Sequence, residues 1–141
     1  MNEAWTERSV FVDTNVLFYS VDATAAAKHA RAVAVMEAIW RARTGRVSTQ
    51  VLCEWIVNLR RKLALDGPSL RRIVEPYLSW PVVEIEPADP LDALRIADAH
   101  RLSFWDALIV RGAQKARAEI LLTEDLSAGQ SIEGVLVVSP F

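Results

Sequence analysis

The sequence predicts a three-layer α/β/α protein, in which helices cover both faces of a central, mainly parallel β-sheet. Two observations predict this class. Short runs of apolar, often β-branched residues alternate along the chain with longer segments of helical periodicity. The predicted strands are also apolar along nearly their whole length, as is typical of parallel strands buried on both faces. With 141 residues, 52% of them hydrophobic, the chain has the size and composition of one domain with a single core.

The domain organisation follows from the lack of any repeat, low-complexity tract or linker, which predicts one domain over residues 1–141. Residues 1–8 carry acids and lack an apolar run, so we expect a flexible N-terminal extension and no secretory signal. No apolar run approaches the roughly 18 residues of a membrane helix. The single cysteine, Cys53, excludes an internal disulfide, and its apolar neighbours predict that it is buried. We therefore expect a cytoplasmic protein that does not bind membranes.

The first half of the chain is predicted to contain two strands and two helices. An apolar run forms a strand over residues 9–12, and apolar residues at helical spacing predict a long helix over residues 24–43. A second strand at residues 46–48 leads into a helix over residues 50–65, for which Thr49 is the predicted N-cap.

The second half continues this alternation with three helices. Ser69 is the predicted N-cap of the first of them, which Pro76 should kink. Asp89 is the predicted N-cap of the next helix, because a proline follows it directly. Ser103 begins the last helix, and Asp106 completes its capping box. The predicted strands in this half are residues 82–85, 120–122 and 135–138.

Four acidic residues fall where one edge of this sheet is expected. Asp13 follows the first predicted strand, and Asp125 lies just beyond the strand at residues 120–122. Glu54 and Asp106 lie near the starts of helices that face the same edge. Since ligands bind outside the carboxyl ends of the strands of an open parallel sheet, we expect these four carboxylates to converge.

Each acid also has an ordinary structural interpretation when it is taken alone. Asp13 is then a turn or helix-cap residue, Asp106 a capping-box residue, and Asp125 a loop acid. Glu54 is harder to explain, because it stands among apolar residues and a carboxylate inside a protein needs a partner. Taken together, the four acids favour a functional site.

The chemistry that a carboxylate cluster supports is that of a hard divalent cation. Clustered carboxylates cannot all stay ionised in a pocket without one, and oxygen ligands favour Mg²⁺, with Mn²⁺ as a substitute, over zinc. The two histidines, His29 and His100, have no ligand-like spacing. Such ions activate water and neutralise the charge on a phosphodiester. Without the four acids the formal net charge of −2 becomes +2, so a metal-loaded protein need not repel RNA.

The segments that contain the four acids resemble the acidic motifs of PIN domains. They are residues 12–17 (VDTNVL), 48–54 (STQVLCE), 103–109 (SFWDALI) and 122–130 (LTEDLSAGQ). The resemblance covers the chain from residue 9 to residue 140. In this combination and order, the motifs resemble those of the VapC-type toxins of bacterial toxin–antitoxin modules.

This resemblance implies a Mg²⁺-dependent endoribonuclease that acts as a toxin on RNA. It also implies a homodimer and a small antitoxin protein, whose tail or helix fills an apolar groove near the active site. The residues that match the catalytic, metal-binding positions of the family are Asp13, Glu54, Asp106 and Asp125. Asn15 and Thr123 match polar positions that support the pocket through hydrogen bonds.

The expected roles of the four acids differ. We assign Asp13, Asp106 and Asp125 as direct or water-mediated metal ligands, while Glu54 completes the cage or positions the attacking water. Trp105 stands where a smaller aromatic residue is common in the family, and we expect it to affect the fit at the rim of the pocket. For the five tryptophans, packing in the core is the expected role, and lining the antitoxin groove is the alternative.

Two other functions remain open at this point. One is a catalytically weak PIN domain that binds RNA or a partner protein as a scaffold. The other is a Mg²⁺-binding phosphoacceptor signalling domain of flavodoxin-like topology. The latter requires a lysine at the end of a late strand, and the sequence has Ser139 at that position.

Overall fold

The computed structural model describes residues 4–141, and its strands form one six-stranded sheet. The strands are β1 (Val10–Val12), β2 (Gly45–Ser48), β3 (Val82–Val83), β4 (Ile120–Leu122), β5 (Ser131–Ile132) and β6 (Val135–Val138). The α-helices are α1 (Thr14–Val21), α2 (Ala27–Ala42), α3 (Thr49–Leu63), α4 (Gly67–Val74), α5 (Asp89–His100) and α6 (Phe104–Lys115). Short 3₁₀ helices cover Ala4–Thr6, Ala23–Ala25 and Glu75–Ser79.

The strand order in the sheet is β3-β2-β1-β4-β6-β5. All neighbouring pairs run parallel except β5 and β6, which form an antiparallel pair at one edge. The three residues of β1 and the three of β4 are completely buried, which requires helices on both faces of the sheet. The predicted three-layer fold with a mainly parallel sheet is therefore confirmed.

The order of the strands creates a crevice beside β1. From β1 the chain adds β2 and β3 on one side, and then crosses to β4 and β6 on the other. The direction of winding thus changes between β1 and β4, whose carboxyl ends lie next to each other. In open parallel sheets such a switch point is where ligands bind.

The long helix predicted over residues 24–43 begins later than expected, and an additional helix precedes it. The chain turns through a 3₁₀ helix at Ala23–Ala25, and α2 begins after Ala26, which has a positive φ of 45°. Helix α1, which the sequence did not predict, follows Asp13 directly and buries Val16 and Leu17 completely. None of the α-helices in residues 4–141 has the length and apolar character that a membrane span requires.

Three of the predicted helix caps are displaced by a few residues. Ser48, not Thr49, caps α3, because the Thr49 hydroxyl accepts a hydrogen bond from the backbone N–H of Ile85 instead. Asp66, not Ser69, caps α4 and accepts a hydrogen bond from the Ser69 N–H.

The third displaced cap is Asp89, which is the first residue of α5 and not its N-cap. Its side chain accepts a hydrogen bond from the backbone N–H of Glu86 and forms ion pairs with two basic residues of α6. By contrast, Ser103 caps α6 as predicted, with its hydroxyl accepting a hydrogen bond from the N–H of Asp106.

Two expectations for single segments are also altered. The extension predicted over residues 1–8 falls partly outside the described residues, but Trp5 is buried in the core and its carbonyl accepts a hydrogen bond from the Thr44 hydroxyl. The expectation of a buried Cys53 is wrong, because this side chain is exposed on α3. Apolar neighbours in sequence lie on different faces of a helix, so they do not bury the residue between them.

Gly45 allows β2 to lie against an aromatic cluster formed by Trp40, Tyr77 and Trp80. A Cβ atom at Gly45 would overlap the ring of Trp80, which packs against Trp40 and Tyr77. We therefore expect Gly45→Ala to lower the free energy of unfolding by about 1–3 kcal/mol, as overpacked cores do. Urea unfolding measures this change. Gly67→Ala is the matched control, since a Cβ there makes only an ordinary contact, and an equal loss in both variants would contradict the prediction.

Candidate active site

Asp13 lies at the switch point, directly after β1, and is 4% exposed. It caps α1 by accepting a hydrogen bond from the N–H of Thr14 at 2.7 Å on Oδ1. Its other oxygen, Oδ2, accepts one from the Thr123 hydroxyl at 2.7 Å and one from Asn15 Nδ2 at 3.3 Å. Asp13 therefore serves as a helix cap and also presents a carboxylate at the carboxyl edge of the sheet.

Asn15 and Thr123, the two predicted supporting residues, connect the first and last acidic segments. The amide nitrogen of Asn15 lies 3.1 Å from Thr123 Oγ1 and 3.0 Å from Asp125 Oδ2, and it donates to both. The Asn15 side-chain oxygen accepts a hydrogen bond from the N–H of Glu124. These bonds hold the loop after β4 against the start of α1.

Glu54 projects from α3 and is held at both carboxylate oxygens. Oε1 accepts a hydrogen bond from Gln50 Nε2 at 2.7 Å, and Oε2 accepts one from Thr14 Oγ1 at 3.1 Å. Gln50 also donates to the carbonyl oxygen of Trp105 at 3.3 Å, which links α3 to the beginning of α6. Glu54 thus has the partners that a carboxylate among apolar residues requires.

The structure brings the four predicted acids together around one pocket of about 250 Å³. Asp106 is half-buried and Asp125 is exposed at its edge. Glu124, which the sequence did not single out, also lines the pocket and forms an ion pair with Lys28 at 2.7 Å. The complete lining is Asp13, Thr14, Asn15, Phe18, Tyr19, Glu54, Asn58, Lys62, Trp105, Asp106, Ile109, Glu124 and Asp125.

The electrostatics of the pocket oppose the ionisation of its acids. Burial raises the pKa of Asp13 to about 7 against the hydrogen bonds from Thr123 and Thr14, and the charges of Asp125 and Glu54 raise it further. Burial also raises the pKa of Asp106, and the charge of Asp125 acts in the same direction. A cation in the pocket would favour the ionised forms of both residues.

The donor set of the pocket consists of oxygens, which suits a hard divalent cation. Within residues 4–141, however, no three carboxylate, thiol or imidazole groups are close enough to hold one ion directly. This arrangement fits Mg²⁺ better than Ca²⁺ or Zn²⁺, because Mg²⁺ keeps several waters and takes only one or two carboxylates from a protein. The residues present are therefore compatible with the expected metal.

An apolar groove of about 560 Å³ adjoins the acid pocket along α3. Glu54, Asn58 and Trp105 line both cavities. The resemblance predicts a groove near the active site, and what occupies it stays a prediction. The complete lining is Thr49, Gln50, Cys53, Glu54, Val57, Asn58, Ile85, Trp105 and Leu108.

The sequence reasoning missed Gln50 and Thr14 as partners of Glu54. Gln50 has a recognisable sequence relation to it, because residues four apart lie on one face of a helix. Thr14 has no such relation, since it is 40 residues away in the chain. Of the five tryptophans, Trp105 is 64% exposed at the start of α6, whereas the others are buried or packed against the core.

The fold and the site together place the chain among α/β proteins with a carboxylate pocket at the switch point of a mainly parallel sheet. Residues 10–128 match the PIN domain family model, and the chain belongs to this family. The resemblance to PIN domains is thereby confirmed. No curated protein matches the chain significantly.

Several solved structures of toxin–antitoxin proteins share the fold. A toxin–antitoxin complex from Klebsiella pneumoniae is 22% identical with a TM-score of 0.68, over 94% of this chain and 98% of that one. VapC20 from Mycobacterium tuberculosis, a toxin that cleaves the sarcin–ricin loop, is 21% identical with a TM-score of 0.63, over 80% and 87%. VapBC2 from Rickettsia felis, bound to a DNA fragment from its promoter, is 15% identical with a TM-score of 0.66, over 92% and 97%.

Proposed function

We propose that this protein is a Mg²⁺-dependent endoribonuclease and the toxin of a toxin–antitoxin module. The observation that carries the proposal is the convergence of four carboxylates, from four separate segments, on one pocket at the switch point of a PIN domain. The RNA-cleaving activity of VapC20, which has the same fold, supports the proposal. The catalytic acids are Asp13, Glu54, Asp106 and Asp125, with Asn15 and Thr123 supporting them.

In the proposed mechanism, Asp13, Asp106 and Asp125 would hold the ion directly or through water. A Mg²⁺ ion held there would supply a water of lowered pKa and would neutralise charge on the phosphodiester. Asn15 and Thr123 keep Asp13 and Asp125 oriented toward the pocket.

Glu54 would either complete the cage or position the attacking water. Gln50 and Thr14 fix its orientation by bonding to both of its oxygens. Histidine does not take this role, because neither His29 nor His100 is among the residues that line the pocket. His29 Nδ1 lies 2.8 Å from the Tyr19 carbonyl oxygen, and His100 pairs with Glu133.

We also propose that a cognate antitoxin protein binds this chain, and that the chain forms a homodimer. The toxin–antitoxin complexes among the structures with this fold support the first part. Expression of the chain alone is expected to arrest growth, and co-expression with its antitoxin is expected to relieve the arrest. Light scattering on the purified chain tests the dimer, and a monomeric mass would contradict it.

The test of the ribonuclease is cleavage of total cellular RNA by the purified, partner-free protein. Discrete fragments are expected with Mg²⁺ or Mn²⁺, and none with excess EDTA. Asp106→Asn is expected to abolish cleavage, while Asp98→Asn, an exposed acid of α5 outside the pocket, is expected to retain it. RNA binding without metal-dependent cleavage would overturn the proposal in favour of a scaffold.

The phosphoacceptor alternative has no support in the fold. Such a domain needs a lysine at the end of a strand, but all three lysines lie on helices: Lys28 on α2, Lys62 on α3 and Lys115 on α6. Lys115 is also engaged in an ion pair with Asp89. The chain belongs to the PIN family instead.

A further inference from the structure

Trp105 presents a large aromatic face to solvent at the border of the acid pocket. Its side chain is 64% exposed, although its backbone is held by the hydrogen bond that its carbonyl accepts from Gln50. The rings of Phe104 and Trp105 meet edge-on, with their centroids 5.3 Å apart. This contact leaves one face of the indole uncovered. The ring is therefore fixed at its base and open on one side.

The apolar groove continues from the acid pocket past this ring. Because Glu54, Asn58 and Trp105 line both cavities, a strand with a phosphate at the acids has its next nucleotide within reach of the groove. Trp105 also directly precedes Asp106 in the first turn of α6, and both residues line the acid pocket.

The chemistry of the groove suits a nucleobase better than a phosphate. Its wall is apolar at Val57, Ile85 and Leu108, and Glu54 is its charged residue, which repels an anion. The amide of Asn58 supplies a polar group beside the apolar surface. A flat, uncharged ring with polar edges matches this lining, and the volume is in the usual range for small ligands.

Building on the proposed ribonuclease function, we propose that this groove is a subsite for one nucleobase of single-stranded RNA next to the scissile phosphate, stacked on Trp105. Stacking on an aromatic side chain is how proteins commonly hold unpaired bases. The subsite selects for RNA substrates in which the base at this position can unstack from its neighbouring bases. An apolar segment of a partner protein is the other occupant of such a groove, and the test separates the two.

The first experiment compares Trp105→Phe, Trp105→Leu and Trp105→Ala in cleavage of single-stranded RNA with Mg²⁺. Loss of the aromatic face is expected to raise KM about tenfold in the leucine and alanine variants, with a smaller effect on kcat and near-normal values for phenylalanine. Leu91→Ala is the control, because Leu91 is 72% exposed on α5 and lines neither cavity. A KM for Trp105→Leu that is as low as the KM for Trp105→Phe would overturn the stacking proposal.

The second experiment needs binding but not cleavage, and it uses Cys53 as the reporter. Cys53 is the single thiol of the chain, is exposed and lines the groove. In the Asp106→Asn variant with Mg²⁺, mixed-sequence single-stranded RNA is expected to slow alkylation of Cys53 by iodoacetamide. A fully abasic analogue with the same phosphates is expected to protect it much less, and Trp105→Leu in the same background should abolish the difference.

The outcomes distinguish the subsite from the ribonuclease itself. Unchanged Cys53 reactivity in a complex that fluorescence anisotropy shows to be saturated with RNA would overturn the base subsite and leave the nuclease intact. Protection that depends on the bases, without any cleavage by the wild type, would support the subsite and overturn the nuclease. Protection by a partner protein but not by RNA would assign the groove to that protein instead.

Discussion

Asp13→Asn is expected to lower the rate of RNA cleavage by at least about 10²-fold and, at the same time, to stabilise the metal-free protein at pH 8. The loss of rate follows from the proposed role of Asp13, because asparagine lacks the negative charge that holds a cation. Without the cation, the site no longer stabilises the charge that develops in the transition state. The gain in stability follows from the burial of Asp13, whose ionised form is unfavourable in the folded protein without a cation.

The pH dependence of this gain has a definite sign. The pKa of Asp13 is about 7 in the folded protein and 3.8 for an unperturbed aspartate, so the folded state holds the proton more tightly. Between about pH 4 and pH 7 the free energy of unfolding of the wild type therefore falls as pH rises, and above that range this effect is complete. The two pKa values differ by an amount equivalent to about 4 kcal/mol, which is the upper limit of the gain.

Urea unfolding of both proteins in EDTA, at pH values from 4 to 8, measures the effect. The difference in stability between variant and wild type should be small at pH 4 and largest at pH 8. Asparagine keeps the cap of α1, since it is as good an N-cap as aspartate. Addition of Mg²⁺ at pH 8 should stabilise the wild type more than the variant, as a ligand that binds only the folded state does. A variant that is less stable than the wild type at pH 8 in EDTA would contradict this account.

Asp89→Ala is expected to lower the free energy of unfolding by about 2–4 kcal/mol. Asp89 is 2% exposed and pairs with Lys115 Nζ at 2.6 Å and Arg111 Nε at 3.1 Å. It also accepts the Glu86 N–H at 2.7 Å. Alanine leaves two cations of α6 and one backbone donor without this partner. The loss follows from removing a buried acceptor that three donors share, although Arg111 keeps its ion pair with Asp92 and Lys115 keeps its hydrogen bond to the Glu84 carbonyl oxygen.

The pKa of Asp89 supports the same conclusion. Burial alone would raise it, but the hydrogen bonds from Lys115, the Glu86 N–H and Arg111 outweigh burial and lower the pKa below its usual value. Stability from this group is therefore present above the pKa of the unfolded chain and is lost as pH falls through the lower pKa of the folded state. Asp89→Ala should accordingly cost most near neutral pH and less in acid.

Chemical denaturation at pH 7 measures the loss, with Asp98→Ala on the same helix as the control. Asp98 is exposed, and its replacement is expected to change stability by less than about 0.5 kcal/mol. Asp89→Asn should lie between the two, because it keeps hydrogen-bonding capacity but loses the charge. Equal stability of Asp89→Ala and Asp98→Ala would show that the contacts of Asp89 contribute nothing to the free energy of unfolding. The ion pair of Asp89 with Lys115 fixes the C-terminal end of α6, whose N-terminal end carries Asp106.

The sequence by itself was sufficient to predict the alternation of strands and helices and the location of the four acids. Continuous apolar runs such as those of β1 and β4 are strong local patterns, and parallel strands place their carboxyl ends at one edge. An acid that directly follows such a run must then lie at that edge, as Asp13 does. The cap of α6 by Ser103 was predictable for the same reason, because it depends on contacts between residues three apart.

The elements that were missed depend on contacts that are distant in sequence. Helix α1 contains valines, aromatic residues and an asparagine, which are poor helix formers, and it is stabilised by burial of Val16 and Leu17 against the rest of the core. Asp89 looks like a helix cap because proline follows it, but its partners on α6 are 22 and 26 residues away.

The chemistry of the pocket was decided by tertiary structure in the same way. The raised pKa of Asp13, the bonds from Gln50 and Thr14 to Glu54, and the open face of Trp105 all depend on how α3 and α6 pack beside β1. Sequence patterns report the local preferences of a segment and the residue types it carries. Burial, distance and solvent exposure are set by segments that meet only in the folded chain, such as residue 13 and residue 123, and therefore only the structure defines them.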